Sequence, residues 1–216
     1  MLLHLVTRLG AVTMRQAHRY VYDGSYANVR RRVQFMVEAG LLNRLDTVPS
    51  AGTILWPTRA GRVAAVGEDS PLVAMQPPSE ATMIHRLMVS EEVLRAVCVE
   101  GRRVMTEREI RLFQERGGDQ LYRLLSTNGV VRSVDGSAGV VPTTITDEKG
   151  TRELWLQVAM HSGDTVTRTP DFVEVTERGT LVAVEVELAS KPEKLMRTIL
   201  EGYREACTAH QPAPMG

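Results

Sequence analysis

The chain has 216 residues, 43% of them hydrophobic and 24% charged. This is a globular balance that excludes a disordered chain and leaves room for one large domain or two small ones. No apolar run approaches the roughly 18 residues of a membrane span. The N-terminus lacks the clean apolar core and small-residue cleavage site of a secretory signal, and Cys98 and Cys207 are too few for a disulfide framework or a metal finger.

The net charge of zero is unevenly divided. Residues 1–67 hold nine arginines against three acids (Asp23, Glu38 and Asp46), whereas residues 68–216 hold seventeen bases against twenty-three acids. A half of charge +6 therefore precedes a half of charge −6. A basic face points to nucleic acid, and a reducing cytoplasm suits the cysteine count.

In chain order, Leu2, Leu3, Leu5, Val6 and Leu9 have the spacing of a helix with one buried side, ended by Gly10. Thr13 is placed to cap a second helix, "MRQAHRYVY", and Asp23-Gly24 makes a turn. Ser25 is placed to cap a third helix that stops at Gly40. On it Val29, Val33, Met36 and Val37 form a buried stripe, opposite Ala27, Asn28, Arg31 and Gln34, with Arg30 and Arg32 on the flanks. Two β-prone pieces, 42–47 and 53–57, surround a Pro49–Gly52 turn, and Thr58 caps a short helix, "RAGRVAAV".

Three helices followed by a hairpin are the order of a winged helix-turn-helix, which lays one helix in the DNA major groove. Arginine pairs bidentately with guanine and asparagine with adenine. The expected DNA-binding residues are Tyr26, Asn28, Arg30, Arg31, Arg32 and Gln34, with Arg44 and Arg59 on phosphate near the wing. The same arginine run also suits the solvated face of a winged helix that contacts only protein.

Residues 68–79, with Pro71, Pro77 and Pro78, read as a linker between a 1–67 unit and an 80–210 unit, and 211–216 as a tail. The second unit opens with an amphipathic helix whose stripe is Ile84, Leu87, Met88, Leu94 and Val97. A strand at "RRVMT" follows, then helical or irregular "EREIRLFQER" and "DQLYRLL", a loop at 133–141 and a hairpin turn at 146–153. Strands are expected near 139–145, 154–160, 171–176 and 181–189, then a closing helix after Pro192. The class is α+β: a mixed β-sheet flanked by helices.

Strand alternation places Glu185 and Glu187 on one face of 181–189, with Asp171 at the start of the preceding strand. Three convergent carboxylates suit Mg²⁺ or Mn²⁺, ions that activate water for phosphodiester cleavage. The same spacing also describes the wet face of a half-exposed sheet. His85 reads as a helix-surface or packed histidine, and His161 as a loop residue near Ser162 and Asp164 without a nucleophile motif.

"WPTRAG" after the hairpin, the helix containing His85, "TEREIR", "RTPDFVEV" and "VAVEVELASKPEKLMRTILEGY" together carry a resemblance. The chain resembles the replication-relaxation family of plasmid and mobile-element proteins, which joins a winged helix to a domain similar to the PD-(D/E)xK nuclease fold. The resemblance implies a core of Asp171, Glu185 and a lysine two residues later; Glu187 stands at that place, and Lys191 is the nearest lysine. Catalytic residues, if the domain cuts, would be Asp171, Glu185, Glu187 and Lys191, the first three being the metal ligands.

The resulting expectation is a sequence-specific binder of double-stranded DNA with no required cofactor and no membrane partner. It would control transcription, replication or transfer of a plasmid, phage or integrated element, with a non-cleaving nuclease-like domain and self-association as a homodimer left open. The alternatives are a Mg²⁺- or Mn²⁺-dependent endonuclease targeted by the winged helix, and a protein-interaction adaptor.

Overall fold

The computed structural model describes residues 1–46, 52–70, 72, 79–116, 144–147, 150–153, 158–162, 164–175, 181–189 and 191–209. Helix α1 (Leu2–Leu9) turns Leu2, Leu5, Val6 and Leu9 inward. Gly10 ends it at φ 85°, a left-handed conformation that glycine adopts without steric penalty. After the short strand β1 (Val12–Thr13), Thr13 caps α2 (Met14–Gln16). The Gln16 amide donates to Thr13 Oγ1 at 3.0 Å and the Thr13 amide to Gln16 Oε1 at 2.8 Å, the reciprocal bonds of a capping box. A π-helical turn, Ala17–Val21, extends α2.

Helix α3 (Tyr26–Glu38) follows its Ser25 cap. Strands β2 (Leu42–Asp46) and β3 (Thr53–Pro57) form an antiparallel hairpin with Leu42 opposite Pro57 and Asp46 opposite Thr53. β1 takes the other edge of β3, giving the order β1-β3-β2. Thr58 caps α4 (Arg59–Val66) by accepting from the Gly61 amide at 2.9 Å, and its hydroxyl donates to Gly40 O at 2.6 Å. These bonds press α4 onto the end of α3. Gly61 makes the approach possible, since a Cβ there would lie 1.9 Å from Leu41 O.

The back half begins with α5 (Glu80–Leu94), extended by a π-helical turn at Arg95–Val99, then β4 (Arg103–Thr106) and α6 (Glu107–Arg116). Two hairpins follow, β5 (Thr144–Asp147) with β6 (Gly150–Glu153) and β7 (Val158–Ser162) with β8 (Asp164–Arg168). β9 (Phe172–Val175) lies between β10 (Leu181–Val184) and β4, and α7 (Glu193–Ala209) packs on β7. The class is α+β, as expected. Instead of a mixed sheet, every strand pairing among the described residues is antiparallel.

One hydrophobic core joins both halves. Leu2, Leu5, Val6, Leu9, Val29, Val33, Leu42 and Leu55 cluster with Val93, Leu94, Ala96, Val104 and Phe172. Within the expected 68–79 linker, Ser70 and Leu72 are buried. Among the described residues, no helix is long and apolar enough to cross a membrane.

Three expectations are corrected. Ile84 and Met88 are exposed rather than on the buried stripe of α5, which instead turns Leu87, Ser90, Val93 and Leu94 inward. The cause is polar docking onto the front half: Ser90 Oγ donates to Ala11 O at 2.8 Å, and Gln16 Nε2 to Leu87 O at 2.8 Å.

The strand expected at 181–189 ends at Val184. Beyond it the Val186 amide is taken by a carboxylate of Asp171 rather than by a neighbouring strand, so Glu185 and Glu187 do not share a strand face. His161 lies in β7, not in a loop. The readings at 47–51, 119–125, 133–141 and 211–216 lie outside the described residues.

Candidate nucleic-acid interface and carboxylate site

Helix α3 is anchored by one side and presents the other. Val29 and Val33 are fully buried, and Met36 and Val37 pack half-buried against the same core. Tyr26, Ala27, Asn28, Arg30, Arg31, Arg32 and Gln34 are all exposed. The Asn28 amide donates to Ser25 Oγ at 3.4 Å, the cap of the first turn. A helix N-terminus carries partial positive charge, which adds to that of the arginines.

These groups differ in how free they are. No hydrogen bond or ion pair among the described residues engages the Arg30 and Arg31 guanidinium groups. Arg32 stacks on Tyr22 with 5.2 Å to the ring centroid, and Tyr26 sits edge-on to His18 at 5.4 Å. Arg44 is engaged: it binds Asp46 through Nε at 3.1 Å and Nη2 at 2.8 Å, and its Nη1 donates to Gln34 Oε1 at 3.3 Å. Gln34 Nε2 donates to Glu38 at 2.9 Å. The Arg44 bonds hold Asp46 below the usual carboxylate range. Arg44 and Gln34 thus form a closed network linking α3 to β2, and Arg59 stands exposed at the first position of α4.

At the other site, Asp171 and Glu185 come together while Glu187 is turned to a different partner. Asp171 Oδ2 accepts the Val186 amide at 2.7 Å and lies 3.4 Å from His85 Nε2, whose N–H donates to Val186 O at 2.9 Å. Burial pushes the Asp171 carboxyl above its usual range. The Val186 amide and His85 act against this, and the Glu185 and Glu107 charges add to it. Tyr203 of α7 donates to Glu185 Oε1 at 2.6 Å. Lys191 donates to Glu187. Among the described residues no three histidine, cysteine or acidic side chains are grouped as a metal-ion site.

Sequence reasoning missed four residues. The roles of His85 and Tyr203 depend on where the chain leaves β10, which strand alternation does not reveal. Arg8 and Glu109 form a fully buried pair, Nε to Oε1 at 2.5 Å and Nη2 to Oε2 at 2.9 Å, with side chains 1% and 0% exposed. The only sequence signal was a charge on the helix face next to the α1 stripe.

Searches against protein-family models, curated proteins and solved structures find no match to this chain.

Proposed function

We propose that the protein is a sequence-specific binder of double-stranded DNA, with residues 1–67 acting as a winged helix-turn-helix and α3 entering the major groove. The observation that carries this reading is the two-sidedness of α3: Val29 and Val33 are buried, while Asn28, Arg30 and Arg31 are exposed in its N-terminal half. Asparagine and arginine there have the donors and acceptors to read adenine and guanine edges. The order β1-β3-β2 with a hairpin beside α3 supports a wing, and Arg59 supplies a phosphate contact. Arg44, already held by Asp46, orients the hairpin more than it binds phosphate.

In this reading the back half is a nuclease-like domain that does not cut. The resemblance asks for a lysine where Glu187 stands, and Lys191 is committed to Glu187. A transition state of developing negative charge needs a donor beside it, and Glu187 brings the opposite sign. Control of transcription, replication or transfer of a mobile element is the role that the resemblance supports.

The test incubates the full chain with DNA from upstream of its own coding sequence, with and without Mn²⁺, and scores mobility shift against cleavage. A shift without cleavage is expected. Arg31→Ala should weaken binding by about 1–3 kcal/mol and relax specificity, and affinity should fall steeply with salt. Unchanged affinity in the Arg30→Ala/Arg31→Ala/Arg32→Ala variant refutes the DNA reading. Nicking abolished by Asp171→Ala puts the endonuclease in its place.

A further inference from the structure

A cavity of about 190 Å³ lies at the seam between the two halves, the space of about six waters at about 30 Å³ each. Its wall includes Arg8 of α1, His85 and Arg86 of α5, Glu107 and Arg108 at the start of α6, and Asp171 just before β9.

The three arginines are unevenly satisfied. Arg8 is 1% exposed and spends Nε and Nη2 on Glu109 and Val104 O, which leaves Nη1 buried with no hydrogen-bond partner among the described residues. Arg86 Nη1 is in the same condition. Arg108 donates to the carbonyl oxygens of Thr7, at 3.0 Å, and Leu72, neither of them charged. Burial pushes both Arg86 and Arg108 below the usual guanidinium range, Arg108 to about 10. The charges of Arg62 and Arg86 push Arg108 the same way, against the pull of Glu109.

The nearby acids are engaged elsewhere. Glu109, behind the wall, is committed to Arg8, and on the wall Glu107 Oε1 accepts from Arg111 Nε at 2.9 Å and Nη2 at 2.7 Å. Asp171 Oδ2 holds the Val186 amide, and burial raises its carboxyl, which weakens its anionic form. Buried polar groups are ordinarily hydrogen-bonded, and each exception calls for a cause. Here two arginines from different helices, each with one buried guanidinium nitrogen that has no partner among the described residues, line one cavity, beside a third cation bonded only to carbonyls. Guanidinium groups bind phosphate oxygens with strong, charge-assisted geometry.

We propose that this cavity binds a phosphate group, with the Arg86 and Arg8 guanidinium groups donating to its oxygens and Arg108 supplying charge. The group comes from a free nucleotide or from a strand end of nucleic acid, two sources that share this chemistry. The site is independent of the α3 face, so the Arg30→Ala/Arg31→Ala/Arg32→Ala variant keeps it intact whether or not the DNA reading holds.

The test is calorimetric titration and thermal melting of the full chain with inorganic phosphate, against chloride at equal ionic strength. Saturable binding and a raised melting temperature are expected. Arg86→Gln should weaken binding about tenfold or more, the loss of one charge-assisted hydrogen bond, and Arg86→Lys should restore part of it. Because Arg86 Nη1 has no partner in the protein, Arg86→Gln should melt no lower than the parent without phosphate; a structural arginine would melt lower. A 5′-phosphorylated oligonucleotide, its 5′-hydroxyl counterpart and adenosine monophosphate then distinguish the sources. Preference for the phosphorylated strand over both others assigns a nucleic-acid end, and equal binding of the mononucleotide assigns a free ligand. No saturable phosphate binding up to about 10 mM, ten times a 1 mM Kd, or unchanged affinity in Arg86→Gln, overturns the proposal.

Discussion

Removing the Glu109 carboxylate tests whether the two halves are energetically one body. Its two oxygens bind Arg8 across the seam, and Oε2 also accepts from the Thr106 amide at 2.8 Å and hydroxyl at 2.9 Å. In Glu109→Ala the Arg8 guanidinium stays buried with Val104 O as its remaining bonded acceptor. Leaving one member of a buried pair alone costs about 3–5 kcal/mol. With a urea slope of about 2 kcal/mol/M, a loss of about 4 kcal/mol moves the midpoint down by about 2 M.

The assay follows Trp56, in β3 of the front half, in a Trp155→Phe background, beside far-ultraviolet circular dichroism for the whole chain. Both signals should shift together, because Leu55 and Val104 belong to one core. Glu109→Gln, which keeps an oxygen for Thr106, provides a milder variant should the alanine protein fail to fold. A Trp56 transition that stays in place while circular dichroism shifts refutes the coupling and makes residues 1–67 an independent unit.

Gly61→Ala should destabilise by about 1–3 kcal/mol or more, read as a fall in midpoint, because the new Cβ meets Leu41 backbone and not a movable side chain. Acid unfolding should reveal Glu109. Burial raises its carboxyl, yet the Arg8 charge and the bonds from Arg8 and Thr106 outweigh that and leave it below its usual range. Its stabilisation is therefore present above the unfolded carboxylate value of about 4.3 and lost as pH falls through the lower folded value; Glu109→Gln should flatten that part of the stability–pH curve. Asp171 has the opposite sign, with a folded value raised chiefly by burial. Its contribution is full at low pH and fades as pH rises, so Asp171→Asn, whose amide oxygen still accepts from Val186, should hold or raise the melting temperature at pH 7 while Asp171→Ala lowers it.

The front half was legible because its signals are local. Gly10, Thr13, Ser25 and Thr58 act as stop or caps at the residues where their chemistry places them, and the Val29–Val33 period sets the inward side of α3. The back half was harder to read because tertiary contacts override its periods. Ile84 and Met88 fit an apolar stripe, but Ser90, a polar residue that no stripe count includes, docks on Ala11 O and turns the helix. Alternation from Leu181 to Glu187 is sound strand chemistry until Asp171, fifteen residues back, takes the Val186 amide.

That one hydrogen bond also bears on the carboxylates. A continuous strand would have projected Glu185 and Glu187 to the same side, close enough to share an ion. By drawing the Val186 amide to Asp171 and its carbonyl to His85, the chain leaves the sheet between the two glutamates. Glu185 then meets Tyr203 of α7, and Glu187 meets Lys191. Asp171 and His85 together fix where the strand ends, and that end separates one acid of the expected trio from the other two.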